Sequence, residues 1–150
     1  MSKPGKGEWE LFRKAVWDKE SFLELGTDAR LLYFWTWTSP ASSLSGLFEA
    51  SPRKMLTALG RSPGADAYAT SGEMRLRDAL EELARKPLVL YDDEAEVVWV
   101  VGRVDHSNLS PTTAIRIRRE WEACPRSPLK DQFAAAYGSA LGLTQGGTTP

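Results

Sequence analysis

Arginines set at helical spacing are the residues of this chain best placed to do chemistry. Arg75 and Arg77 fall in the run from Ser71 to Arg85, where Leu76, Ala79, Leu80 and Leu83 share one face at a period near 3.6. Both arginines and Asp78 lie off that face. A guanidinium presented there can pair with the O6 and N7 edge of guanine, worth about 1–3 kcal/mol of discrimination. The plain alternative is a solvated pair with Glu81 or Glu82, worth about a few tenths of a kcal/mol. Arg53 and Lys54 open a second helical run, a position that commonly holds backbone phosphate, and Arg61 follows in the next loop. An ordinary exposed pair is the alternative for Arg53 and Lys54. Arg116, Arg118 and Arg119 make the densest basic cluster, with Arg126 and Lys130 nearby. They can contact phosphate or be used up in i,i+4 pairs, Arg116 with Glu120 and Arg118 with Glu122.

Other chemistries find little support. His106 stands beside Asp105, but no serine or cysteine nucleophile sits in a recognisable context and no second carboxylate motif accompanies it. It reads as a structural hydrogen-bonding histidine. Cys124, between Ala123 and Pro125, reads as a small packing residue. One cysteine and one histidine give neither an internal disulfide nor a ligand-spaced zinc cluster. Gly60-Arg-Ser-Pro-Gly64 lacks the Lys-Ser/Thr that a phosphate-binding P-loop requires. The expectation is therefore a protein that is not an enzyme, with no catalytic residues, metal or cofactor. Among the six tryptophans, Trp35, Trp37 and Trp99 lie in apolar runs and are expected in the core, which outweighs stacking on single-stranded bases. Trp9 and Trp121 are the candidates for an interface.

These side chains need a scaffold, and the bulk numbers permit one. The 150 residues fit one domain, and 42% hydrophobic with 26% charged content is ordinary for a globular protein. No apolar run reaches the roughly 18 residues needed to span a bilayer. The opening Met1-Ser-Lys-Pro-Gly-Lys-Gly has no apolar stretch behind it and does not read as a signal peptide. No membrane association and a cytoplasmic location are expected. The net charge of −1 means that any grip on nucleic acid must come from a local patch. Residues 1–8 read as a flexible lead-in, 9–141 as the folded domain, and 142–150 as a disordered Gly- and Thr-rich tail.

The elements follow from local signals. Glu8 to Trp17 reads as a short strand or a capping segment, and Trp17 to Leu25 as a helical turn ending at Gly26, with Thr27 as N-cap for the next helix. Ala29 to Trp37 is apolar nearly all round and should be the central buried helix. Gly46 to Ala50 suits a short strand. Ser51-Pro52 starts a helix through Met55, Leu56 and Leu59 that stops at Gly60. Arg61 to Thr70 is loop by composition, and Thr70 with Glu73 forms a capping box for the third helix. Pro87 ends that helix. Leu88 to Tyr91 and Val97 to Val101 are strands around the acidic turn Asp92-Asp-Glu-Ala-Glu96. Gly102 to Leu109 crosses the surface, and Ser110-Pro111 and Ser127-Pro128 start the last helices. The expected fold class is α+β: a winged helix-turn-helix with two additional C-terminal helices over about 110–141.

The sequence resembles the N-terminal winged-helix domains of bacteriophage replisome-organiser and replication-initiation proteins. Trp17 to Glu20, Leu25 and Asp28 to Ser39 are similar to the opening of that family. Gly46 to Glu49 and Ser51-Pro52 stand where its short strand and second helix belong. Arg77 to Leu83, Val89 to Asp93 and Val97 to Val101 are similar to its recognition helix and wing. His106, Ser110-Pro111 and Pro125 to Phe133 are similar to the segment that follows. The pattern covers roughly residues 17–138. The resemblance implies double-stranded DNA binding in phage replication initiation, with other replication proteins recruited, in the host bacterial cytoplasm. The residues expected to carry DNA contact are Arg53, Lys54, Arg61, Arg75, Arg77, Arg116, Arg118 and Arg119. The acidic wing tip argues against its touching phosphate. It leaves open a module that binds a host or phage protein, such as polymerase or a replication factor. A transcriptional regulator is a variant of the DNA-binding reading.

Overall fold

Val97-Val-Trp-Val100 carries no polar residue to mark a solvent face, and a strand of that kind must be covered on both sides. The computed structural model describes residues 16–60, 69–106 and 109–143, without the side chains of 69–71 and 106. Its elements are α1 (Glu20–Leu23), α2 (Thr27–Thr38), β1 (Leu47–Glu49), α3 (Pro52–Ala58), α4 (Ala69–Arg85), β2 (Val89–Asp92), β3 (Val97–Val100), a 3-10 turn (Arg103–His106), α5 (Pro111–Ala123) and α6 (Pro128–Leu141). The chain is α+β, with an antiparallel sheet in the order β1-β3-β2. Strand β3 is the central one and is buried throughout.

Strand alternation sorts the side chains into two cores. Phe48, Val89, Val98 and Val100 point to one face, where Leu32, Tyr33, Met55, Leu76, Ala79 and Leu83 from α2, α3 and α4 cover them. Leu47, Val97 and Trp99 point to the other, where Ile117, Trp121, Leu129, Phe133 and Leu141 from α5 and α6 cover them. The cross-strand row Leu47–Trp99–Leu90 belongs to the second core, and the neighbouring row Phe48–Val98–Tyr91 to the first. The sheet is thus the middle layer between two helical layers, and β3 is apolar throughout because both layers need it.

Local signals placed several helix ends. The side chains of Ser51, Ser110 and Ser127 cap α3, α5 and α6, each followed by proline in the first turn. Their hydroxyls accept from Lys54 N, Thr113 N and Leu129 N respectively. Other expectations are corrected. Thr27 is the first residue of α2 and not its cap; Gly26 stands there with no side-chain bond. Helix α4 begins at Ala69, so Thr70 lies inside it, and the expected Thr70–Glu73 capping box falls on a side chain outside the described set. Trp35 and Trp37 are only partly buried against the first core, because α2 buries the face carrying Ala29, Leu32, Tyr33 and Thr36 and leaves Leu31 45% exposed. Trp121 is no interface residue but part of the second core, with its indole N–H donating to Lys130 O at 3.0 Å. Gly142, expected in the tail, caps α6 in the left-handed conformation, and Leu143 packs against the second core. Trp9, the lead-in 1–8, the side chain of His106 and residues 144–150 lie outside what is described.

Two polar contacts fasten the α5–α6 layer to the sheet. The Glu120 carboxylate accepts from Ser45 N at 2.8 Å and Leu44 N at 3.3 Å, holding α5 to the loop before β1. At the β2–β3 turn, Asp92 accepts from Glu94 N at 3.1 Å and from Ser127 Oγ at 2.6 Å. The Ser127 bond, then the backbone donors, hold the Asp92 carboxyl below its ordinary value, with partial burial opposing. A carboxylate with a lowered folded pKa stabilises the fold above the unfolded value, about 3.9, and that contribution is lost as pH falls through the lowered value. Asp92→Asn is therefore expected to be less stable than wild type near neutrality and to lose less stability than wild type on acidification below about 4. Urea midpoints measured across that range check both.

Candidate nucleic-acid interface

Helix α4 turns Gly72, Leu76, Ala79 and Leu83 inward. The residues between them, Met74, Arg77, Asp78, Glu81 and Arg85, form an exposed stripe by the 3.6-residue period. With Glu73, exposed one helical turn before Arg77, its charges are two arginines against one aspartate and two glutamates, and Met74, 60% exposed, stands at the N-terminal end. Arg77 is exposed and has no ion-pair partner among the described residues. The same holds for Arg53 and Lys54 in the first turn of α3, which packs beside α4 in the same layer.

Arg75 does not belong with them. Its guanidinium forks onto Asp28 at the start of α2, with Nε donating to Oδ2 at 2.7 Å and Nη2 to Oδ1. The hydrogen bond to Asp28 raises its pKa further and holds it protonated. Two parallel charge-assisted bonds fix its plane, so Arg75 joins α4 to α2 and is not free to read a base. The sequence offered Glu81 and Glu82 as its partners. Asp28 lies 47 positions away, and no local signal points to it.

The basic cluster on α5 is also divided from the rest. Helix α5 belongs to the second core, on the opposite face of the sheet from α3 and α4. Arg116 is paired with Glu120, Nε to Oε2 at 3.4 Å. The expected Arg118–Glu122 pair is not formed, and neither Arg118 nor Arg119 has an ion-pair partner among the described residues. Arg61 lies outside the described residues. The eight candidates thus do not form one patch. Arg53, Lys54 and Arg77 share one layer, Arg116, Arg118 and Arg119 the other, and Arg75 is tied up.

No family model matches the chain, and neither a curated protein nor a solved structure matches it.

The turn between β2 and β3 exposes Asp93, Glu94 and Glu96, and Asp92 is spent on the turn and on Ser127. Glu96 adopts a left-handed φ of 54°, which closes the hairpin. Phosphate gains nothing from such a tip. Cys124 is buried, and burial pushes its thiol pKa up, which suits packing and not a nucleophile. Among the described residues no group of three or more His, Cys, Asp or Glu side chains is placed to hold a metal ion. Among them also, no helix is long and apolar enough to cross a membrane.

Proposed function

We propose that the protein binds double-stranded DNA as a winged-helix module: α4 is the reading helix, the first turn of α3 holds backbone phosphate, and the β2–β3 hairpin is the wing. One observation carries this reading. The order α2–β1–α3–α4–β2–β3, with β1 paired on the outer side of β3, leaves α4 with an exposed face whose Arg77 is unpaired among the described residues. An unpaired guanidinium on that helix suits bidentate contact with a base edge or a phosphate. Arg53 and Lys54 add charge and a helix N-terminus in the same layer. The footprint is smaller than the sequence suggested: Arg53, Lys54 and Arg77, with Arg61 by its place in the chain. The resemblance to phage replication initiators supports origin binding, with recruitment of replication proteins, as the biological role.

Anisotropy titrations against a duplex library across salt test this reading. Binding is expected to weaken steeply with salt. Arg53→Ala with Lys54→Ala should reduce the slope of log K against log salt by about 2. Arg77→Ala should flatten sequence preference by about 1–3 kcal/mol at one base pair. Arg75→Ala should keep the preference and instead lower the melting temperature, because its bond is to Asp28. Absence of binding to every duplex at low salt would sink the proposal.

A second reading, a module that docks on a replication or host protein, is favoured by Met74 on an α4 stripe whose exposed carboxylates outnumber its arginines, and by the acidic hairpin tip. Capture of one defined replication protein that persists after nuclease treatment and is lost in Met74→Asp would support it over DNA binding.

A further inference from the structure

Between α5 and the C-terminal end of α6 lies an open groove of about 250 Å³, lined by Ile115, Arg118, Arg119, Trp121, Glu122 and Leu143. It stands on the layer opposite α3 and α4, so the DNA-binding reading makes no use of it. Ile115 is 42% exposed beside it. Trp121 is buried beneath, its indole N–H spent on Lys130 O, and Lys130 Nζ stands 4.7 Å from the ring centre. Arg118 and Arg119 have no carboxylate partner among the described residues, although Glu122 is one helical turn from Arg118. Lys130 Nζ is spent on Cys124 O at 3.1 Å, so around one apolar floor two guanidiniums face one carboxylate.

We propose that this groove docks an acidic peptide segment with an apolar side chain, presented by a partner protein. The two guanidiniums supply paired donors for carboxylates, and the isoleucine–leucine floor takes the apolar side chain. The floor argues against a phosphate backbone, which has no apolar group to place there. Stacked bases need an exposed aromatic face, and Trp121 offers none. A second copy of this chain would present its acidic hairpin tip. That tip carries only Ala95 among its carboxylates, and Ala95 packs inward against the second core.

The test uses the full chain and a fluorescein-labelled peptide in which one leucine is flanked by aspartates. At low salt the peptide is expected to bind with a micromolar dissociation constant, and raising the salt should weaken it. Arg118→Ala with Arg119→Ala should weaken binding by about tenfold or more. Ile115→Asp should do the same. Changing the leucine of the peptide to serine should also weaken it, and a lysine version should not bind. Arg53→Ala with Lys54→Ala, remote on the other layer, should leave peptide binding unchanged, and Arg118→Ala with Arg119→Ala should leave duplex binding unchanged. Amide shifts of Ile115, Arg119 and Leu143 on titration would locate the peptide, and each variant's thermal melt would show that it folds. Failure to bind at millimolar peptide, equal binding of the serine version, or loss of binding in the Arg53/Lys54 variant overturns the proposal and leaves the DNA-binding reading as it was.

Discussion

Gly46→Ala is expected to lower the thermal unfolding midpoint by roughly 10 °C, from a loss of about 3 kcal/mol at roughly 2–4 °C per kcal/mol. Two costs add. Gly46 has φ of 82°, in the left-handed region, where an L side chain costs about 1–2 kcal/mol. A Cβ there would stand 2.7 Å from Val100 O and 2.9 Å from Arg103 Cβ. The first neighbour is backbone, and it cannot swing aside. Gly46 O also accepts from Val100 N at 2.8 Å, so relieving the clash would loosen the seam that joins β1 to β3. Thermal melts followed by circular dichroism measure the shift. A melt within about 2 °C of wild type would overturn the close approach of Gly46 to Val100 O.

Phe133→Ala is expected to cost about 3–5 kcal/mol, a large fraction of the about 5–15 kcal/mol that holds a domain folded. The ring is fully buried in the second core, 6.0 Å from Trp99 in an edge-to-face arrangement and 5.1 Å from Tyr137. Its loss removes the ring contact between α6 and Trp99 of the central strand. Because Trp99 lies on the strand whose neighbours Val98 and Val100 fill the first core, the damage should cross the sheet. Urea unfolding of the variant should show one transition at a much lower midpoint. Two transitions, with the α2–α4 layer keeping its wild-type midpoint, would show instead that α5 and α6 form a separable unit.

Much of the secondary structure was legible because its causes are local. Serine before proline announced α3, α5 and α6, since the cap bond and the missing proline N–H both act within one turn. The face of Leu76, Ala79 and Leu83 was legible because burial repeats with the helical period. The run Val97–Val100 was legible as a strand. That it is central and shared by two cores was not, because a continuous apolar run does not say what covers it. The burial of Trp121 was not legible for the same reason: it depends on where α6 returns, not on its neighbours in sequence.

The candidate site divides along the same line. Sequence alone determined which cations exist, that they are too few to charge the whole molecule, and that Arg77 lies off the apolar stripe of its helix. Packing between distant segments locks Arg75 to Asp28, makes Glu120 the staple of α5, and sets the arginines of α5 across the sheet from the cations of α3 and α4. The reason is range. Helical period and capping are settled within a few residues, whereas a charge is free or spent according to which carboxylate the packing of distant helices brings beside it.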